Sequence, residues 1–174
     1  MVAAVAPPRG KTASGDLREA TRAEILQYRG RVLSAAGLSE AGSTIVATFD
    51  GPARAVRCAS AIVEGARRLG VVAKAGLHTG ECNVHPEALT GPALDGARRV
   101  VAAAKAGNVV VSATVRDLIA GSGIEFVARG GLAATRGAER RPLFAVVSPA
   151  AVALGPARRL TLRSRTSRLT SAAR

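Results

Sequence analysis

Four residues of types that commonly ligate metals, His78, Glu81, Cys82 and His85, fall within eight positions of the sequence. His and Cys are the side chains that bind Zn²⁺ in most protein sites. The surrounding residues, however, predict a strand that enters a tight turn at Gly80. Alternate residues of a regular strand point to opposite faces, which hinders convergence of His78 and Cys82. A structural strand–turn–strand is therefore the favoured interpretation, and a metal site is the alternative.

Two aspartates also have positions that suggest a role. Asp50 follows an apolar strand, Thr44–Phe49, and comes just before a predicted helix, so it suits a turn or a helix cap better than a metal site. Asp95 lies four residues before Arg99 in another predicted helix. That spacing favours a side-chain ion pair, which stabilises a helix by roughly 0.2–0.5 kcal/mol.

Alternating strands and helices would position these residues. Residues 1–15 are rich in Pro, Gly, Ala and basic residues and are predicted to be disordered. In the middle of the chain, Glu81–Val84 is expected to return against the preceding strand as a hairpin. The pattern predicts an α/β (α+β) fold, a mixed sheet with helices mainly on one face. The predicted helices are about 16–28, 52–69, 92–105 and 114–119, and the predicted strands about 31–35, 44–49, 71–77, 81–84, 109–112, 124–127 and 143–147.

The charge of the chain is concentrated at one end. The 174 residues are predicted to form a disordered N-terminus (1–15), one folded domain (16–148) and a flexible Arg-rich tail (149–174). The net charge is +13, and residues 156–174 contain six Arg and no acid. This excess predicts an anionic partner, such as nucleic acid bound through 156–174. Aromatic residues make up only 2% of the chain, so stacking platforms are scarce; a solvated tail is the alternative.

The cysteine content and hydropathy indicate the compartment. The only cysteines are Cys58 and Cys82, and neither position suggests a disulfide framework. No stretch approaches the roughly 20 apolar residues of a membrane span. We therefore expect a soluble, cytoplasmic protein.

Four blocks of sequence carry a resemblance to a known family. They are ATFDGPARAVRCASAI, AGLHTGEC, GARRVVAAAKAGNVVVSATVRDLIAGSGIEF and PLFAVV. In this order and spacing they resemble the class III nucleotidyl cyclase homology domain, in the version found in actinobacterial adenylate and guanylate cyclases. The resemblance covers about residues 17–148. It implies a ferredoxin-like fold that works as a dimer, with active sites at the subunit interface.

The resemblance also implies a chemistry and a set of side chains. The family converts ATP or GTP to the 3′,5′-cyclic monophosphate and pyrophosphate, using two Mg²⁺ or Mn²⁺ ions held by two Asp carboxylates. An Asn and an Arg, one helical turn apart, orient the ribose and stabilise the transition state. A Lys and an Asp read the purine.

This chain departs from that set at most positions. The first metal carboxylate belongs to a Phe-x-Asp-Ile-x-Gly-Ser-Thr-like motif, and residues 1–15 contain no acid and no such motif. Ser43, or Gly37-Leu38 in another register, occupies the place of the second metal carboxylate. Asp95 takes the place of the Asn, and Arg99 that of the transition-state Arg. The purine-reading positions fall at Ser39, or Ser34 in another register, and at Ala88.

Three functional hypotheses follow. The first is a degenerate, catalytically inactive cyclase-like domain without a cofactor, acting as a homodimeric or heterodimeric regulatory module. The second is an active cyclase, complete in itself with Mg²⁺ or Mn²⁺, or complemented by a partner that receives Arg99. The third is a basic protein that binds nucleic acid through its tail.

Overall fold

The computed structural model of the chain describes residues 1–6, 14–33, 44–85, 89–132 and 140–147. These residues form four helices and nine strands. The helices are α1 (Ser14–Gln27), α2 (Pro52–Arg68), α3 (Pro92–Ala103) and α4 (Ala113–Leu118). The strands are β1 (Val2–Ala6), β2 (Arg31–Leu33), β3 (Ile45–Thr48), β4 (Lys74–His78), β5 (Asn83–Val84), β6 (Leu89–Thr90), β7 (Val109–Ser112), β8 (Phe126–Leu132) and β9 (Arg141–Val146).

Seven of the strands form one mixed sheet in the order β2-β3-β1-β4-β7-β9-β8. Only β4 and β7 are parallel among the neighbours of this sheet. Parallel strands need a crossover connection, and α3 supplies it. The mixed sheet with helices confirms the α+β fold expected from the sequence.

The prediction of a disordered N-terminus is wrong for its first six residues. Strand β1 lies near the middle of the sheet and pairs with β3 and β4, so that Val2 stands between Thr48 and His78. A run of Val and Ala ahead of two prolines carries a weak strand signal. Here the pairing comes from tertiary structure, because strands on both sides satisfy the backbone of β1 and its side chains are buried on both faces.

The hairpin predicted at Glu81–Val84 is also wrong. Strand β5 pairs with β6 in a separate two-stranded sheet, not with β4. The physical reason is that both edges of β4 are already occupied, by β1 on one side and β7 on the other. The segment after β4 therefore leaves the main sheet and leads into α3.

The two faces of the sheet carry different helices. Helices α1, α2 and α4 contribute to one apolar cluster, in which α2 buries Val56, Ala59 and Val63 against β1, β3, β4 and β7. Of the four described helices, only α3 lies on the opposite face, with Ala97 and Val101 packed against residues of β1 and β3. Three helices on one face agree with the prediction of a sheet whose helices lie mainly on one side. Helix α3 lies on the other side.

Two further predictions concern a membrane span and the C-terminal tail. No helix within the described ranges is long and apolar enough to cross a membrane. Residues 149–174 lie outside the described residues, so the flexible Arg-rich tail stays a prediction.

Candidate functional site

Helix α3 approaches β4 closely because two glycines lie at the contact. A β-carbon added to Gly76 of β4 would lie 2.5 Å from Val101 Cα of the helix. One added to Gly96 of the helix would lie 2.6 Å from His78 Nε2 of the strand. Since real β-carbons do not come this close to such neighbours, both positions require glycine. These contacts fix the position along β4 at which α3 presents Asp95 and Arg99.

The ion pair predicted between Asp95 and Arg99 is wrong. The Asp95 carboxylate pairs instead with Arg98, Oδ1 to Nη1 at 3.3 Å, three residues along the helix. On a helix surface the i+3 and i+4 residues are both neighbours of residue i, so sequence spacing alone does not choose between them. Arg99 is exposed and makes no ion pair or hydrogen bond with the residues that the structure describes.

His78 ends β4 beneath the helix. Its Nδ1 lies 3.0 Å from the hydroxyl oxygen of Ser112, which ends the parallel neighbour β7 and is itself buried. The imidazole is half-buried, and this burial lowers its pKa below the usual 6.5, with Arg141 and then Arg99 adding to the effect. The neutral ring is thus favoured here, and two uncompensated guanidinium groups lie near enough to influence it.

The metal-site alternative finds no support in the arrangement of its residues. The described ranges contain no group of three or more His, Cys, Asp and Glu side chains placed to hold a metal ion. His78 turns toward Ser112, Cys82 packs against the apolar cluster under α3, and Glu81 and His85 are exposed. These residues thus lie along β4, the turn after it and the end of β5, which belongs to the separate two-stranded sheet.

Asp50 does not cap α2. The N-cap residue is Gly51, which offers no side-chain cap. Asp50 instead forms an ion pair with Arg54, Oδ1 to Nη1 at 2.8 Å, with its carboxylate largely exposed. Its role is local, as expected, but the interaction is a salt bridge with the first turn of the helix.

The position of β1 uncovers a motif that sequence reasoning missed. From Val5 the sequence reads VAPPRGKT, which keeps the spacing of Phe-x-Asp-Ile-x-Gly-Ser-Thr, with Gly10 and Thr12 in register. Pro7 then stands where the resemblance places the first metal carboxylate. The Gly-x-Thr spacing after an apolar run was the signal that could have revealed it.

Several positions of the expected site lie beyond what can be described. Residues 7–13 and 34–43 fall outside the described ranges, as do residues 86–88. The assignments of Ser43, Ser39, Ser34 and Ala88 therefore remain predictions from the sequence.

Comparison with known proteins identifies the fold. No protein-family model matches the chain, and no curated protein matches it in sequence. Solved structures do match: the adenylyl cyclase CyaB of P. aeruginosa is 15% identical, with a TM-score of 0.65 over 84% of this chain and 92% of that one. An adenylate/guanylate cyclase/hydrolase of Silicibacter pomeroyi is 19% identical, with a TM-score of 0.66 over 84% and 96%.

A third match is the guanylate cyclase domain of RhGC from Catenaria anguillulae, solved in complex with GTP. It is 18% identical, with a TM-score of 0.61 over 84% of this chain and 94% of that domain. At these identities the likeness is one of fold. The described chain has the fold of adenylate and guanylate cyclase catalytic domains.

Proposed function

We propose that this chain is a nucleotidyl cyclase-like domain that makes no cyclic nucleotide by itself and acts as a dimeric regulatory module in cyclic-nucleotide signalling. One observation carries the proposal. Strand β1 lies near the middle of the sheet, and the residue that follows it, where the cyclase resemblance expects a metal carboxylate, is Pro7.

The residues present do not fit a two-metal site. Mg²⁺ and Mn²⁺ are hard cations that bind anionic oxygen ligands. Proline offers no side-chain ligand at position 7, and a neutral serine at position 43 does not replace a carboxylate. Asp95 adds a negative charge where the resemblance expects a neutral side chain that orients the ribose. We therefore derive no catalytic step through a metal for this chain acting alone.

A cyclase assay tests the proposal directly. The purified full-length chain is incubated with Mn²⁺ and ATP or GTP, and cyclic nucleotide is measured alongside the Arg99→Ala variant. We expect the two proteins to give the same background signal. Arg57→Ala, a change on the exposed side of α2, is the matched control. The inactive assignment would be refuted by robust turnover that Arg99→Ala abolishes and Arg57→Ala leaves intact.

A second candidate function is complementation of another cyclase domain. It is favoured by the state of Arg99, which is exposed on α3 and is not neutralised by Asp95, because Asp95 pairs with Arg98. In a heterodimer whose partner supplies the metal carboxylates, Arg99 could then stabilise the transition state across the interface.

Mixing experiments distinguish this candidate from a regulatory role. The chain is added to a cyclase domain that keeps its metal carboxylates but lacks its own transition-state Arg. Restored cyclic nucleotide synthesis that disappears with Arg99→Ala supports complementation. Stable heterodimers without restored synthesis count against it and leave the regulatory role in place.

A further inference from the structure

Apolar side chains are exposed at the end of the sheet where β7 begins and the antiparallel β9 ends. Val127, near the start of β8, and Val147, just after β9, are each 48% exposed. Val127 pairs with Ala145, two residues before Val147, so the two valines are diagonal neighbours on one face of the sheet. Val72, 49% exposed, precedes β4 at the same end. Val127 and Val147 form what we call the valine patch.

The valine patch lies just beyond the part of the sheet that α3 covers. Ala145, on the same face as the two valines, packs in one apolar cluster with Val100 of α3 and Ala104 directly after it. Neither valine belongs to an apolar cluster of the described residues. Single exposed apolar side chains are ordinary on protein surfaces. Here two of them adjoin at the point where the chain leaves the folded domain, and this favours a cover supplied by the chain itself.

The sequence that follows Val147 is suited to provide this cover. Residues 148–156, SPAAVALGP, carry no charge in a chain in which 21% of the residues are charged. A Ser-Pro pair is typical of the N-cap and first position of a helix, and a Gly-Pro pair is typical of the end of one. The five residues between these pairs are all apolar. A helix this short is unstable alone in water, so it needs an apolar surface on which to form.

We propose that residues 149–154, which lie outside the described residues, dock on the valine patch as a short helix beside the end of α3. Strand β9 ends at Val146, so Val147 and Ser148 form a two-residue connection, a length that is usual between a strand and a helix. A helix of six residues is about 9 Å long. Diagonal neighbours on a sheet are about 7–8 Å apart, so one such helix can contact both valines.

The short connection favours this segment over other occupants of the patch. A segment held by a short link has an effective concentration in roughly the millimolar range at its site. A second copy of the chain or a separate protein must reach that concentration in solution to compete. Beyond residue 155 the tail is a poor occupant, because residues 156–174 contain six Arg and no acid.

Docking would also set the point from which the Arg-rich residues 156–174 leave the domain. That point is the end of the sheet where β4 and β7 begin, opposite the end marked by His78 and Ser112. An anionic partner bound to the tail would therefore be attached on the side of the domain away from the candidate site. The proposal involves neither nucleotide nor metal, so it stands or falls separately from the proposed function.

NMR of the full-length chain tests the docking directly. The carbon chemical shifts of residues 149–154 should be helical, and NOEs should join the methyl groups of Leu154 to those of Val127 or Val147. Leu162, in the Arg-rich part of the tail, is the internal control and should show no such NOE. In a mixture of labelled and unlabelled chains, NOEs between different chains would show that a second copy covers the patch and would overturn the proposal. The absence of any NOE from Leu154 to the two valines would overturn it as well.

Amide hydrogen exchange in matched tail variants measures the protection that the docked segment gives. The amide of Val147 donates to the carbonyl oxygen of Glu125 at 3.0 Å, so its exchange reports on the patch itself. Leu154→Asp in the full-length chain is expected to accelerate this exchange about tenfold, because the charged segment no longer docks. Leu162→Asp makes the same change in the Arg-rich part and is expected to leave the exchange rate unaltered.

A second matched pair tests the patch from the side of the sheet. Val127→Ser should reduce the helical chemical shifts of residues 149–154, because it removes part of the surface on which the helix forms. Val84 is the control, since it is equally exposed at 48% but lies on β5 in the separate two-stranded sheet. Val84→Ser should leave those shifts unchanged. Equal effects within either matched pair of variants would overturn the proposal.

Discussion

His78 and Gly96 are in direct contact, with the imidazole of the strand lying against the bare backbone of the helix. The contact holds α3 on the sheet, and it places Arg99 one turn further along the helix. It also accounts for the half-buried state of the imidazole, because the glycine leaves room for the ring beneath the helix. The packing of α3 and the environment of the imidazole thus depend on the same pair of residues.

Gly96→Ala is expected to lower the free energy of unfolding by roughly 1–2 kcal/mol, since overpacking outweighs the higher helix propensity of alanine. Urea unfolding measures the change. Gly51→Ala is the control, because a β-carbon there meets nothing closer than 3.7 Å. If the imidazole is the obstacle, Gly96→Ala should cost much less in a His78→Ala background. If Gly96→Ala lowered the free energy of unfolding equally in both backgrounds, the contact between His78 and Gly96 would be contradicted.

Gly76→Ala is expected to be more damaging, by about 3 kcal/mol. The added β-carbon would meet the backbone of Val101 as well as its side chain, and a helix backbone cannot rotate away. Truncation of the neighbour in a Val101→Ala background should therefore rescue little of the loss. Full rescue would show that the side chain alone limits the approach of α3 to β4.

The stability of the chain is expected to fall as the pH drops below about 6.5, the usual pKa of histidine. Burial, Arg141 and Arg99 lower the pKa of His78 in the folded state, so the unfolded chain binds a proton more readily in this range. The stabilisation is complete above the unfolded pKa and is lost as the pH falls through the folded one. Unfolding by urea at about pH 7.5 and about pH 5 should show a steeper loss for the wild type than for His78→Gln. If the wild type and His78→Gln lost the same stability between these pH values, His78 would be excluded as the source of the pH dependence.

Much of this fold could be predicted from local sequence. Helix α2 begins with Pro52 after Gly51 and repeats apolar residues at helical spacing, and the structure shows it over Pro52–Arg68. The apolar run Val109–Ser112 is likewise the buried strand expected from its composition. These elements are recognisable because their own residues contain the period and the end signals.

The features that could not be predicted depend on distant partners. Strand β1 is a short run of Val and Ala without a clear strand pattern. It forms because β3 and β4 pair with it on either side. The choice of Arg98 over Arg99 as the partner of Asp95 depends on side-chain directions that spacing does not specify. The motif at Val5–Thr12 begins within β1, so it is recognisable only when that segment is known to be a strand.

The two cysteines are expected to differ widely in reactivity. Burial, with a contribution from Glu24, raises the pKa of the Cys58 thiol well above its usual range, so almost no reactive thiolate forms. Cys82 is partly accessible on the segment after β4. A thiol reagent should therefore modify one cysteine rapidly in the native chain and the second only on unfolding. Cys82→Ser should remove the fast phase, and its persistence in that variant would contradict the burial of Cys58.

Lys74 is expected to stabilise the C-terminal end of α3. Its ammonium group donates to the carbonyl oxygens of Ala104 at 3.1 Å and Ala102 at 3.5 Å, which are among the last carbonyls of the helix and lack intrahelical partners. Lys74→Met keeps the length of the side chain but removes the donor, and should cost about 1 kcal/mol. Because the loss is local, amide hydrogen exchange should accelerate in the last turn of α3 more than in α2.

Lys105→Met is the matched control for this change. Lys105 is exposed just beyond the helix, so its replacement removes the same charge without removing the bond to Ala104. Amide exchange in the last turn of α3 should therefore accelerate more in Lys74→Met than in Lys105→Met. Equal effects of the two substitutions on exchange would show that net charge, not the cap, holds the end of the helix.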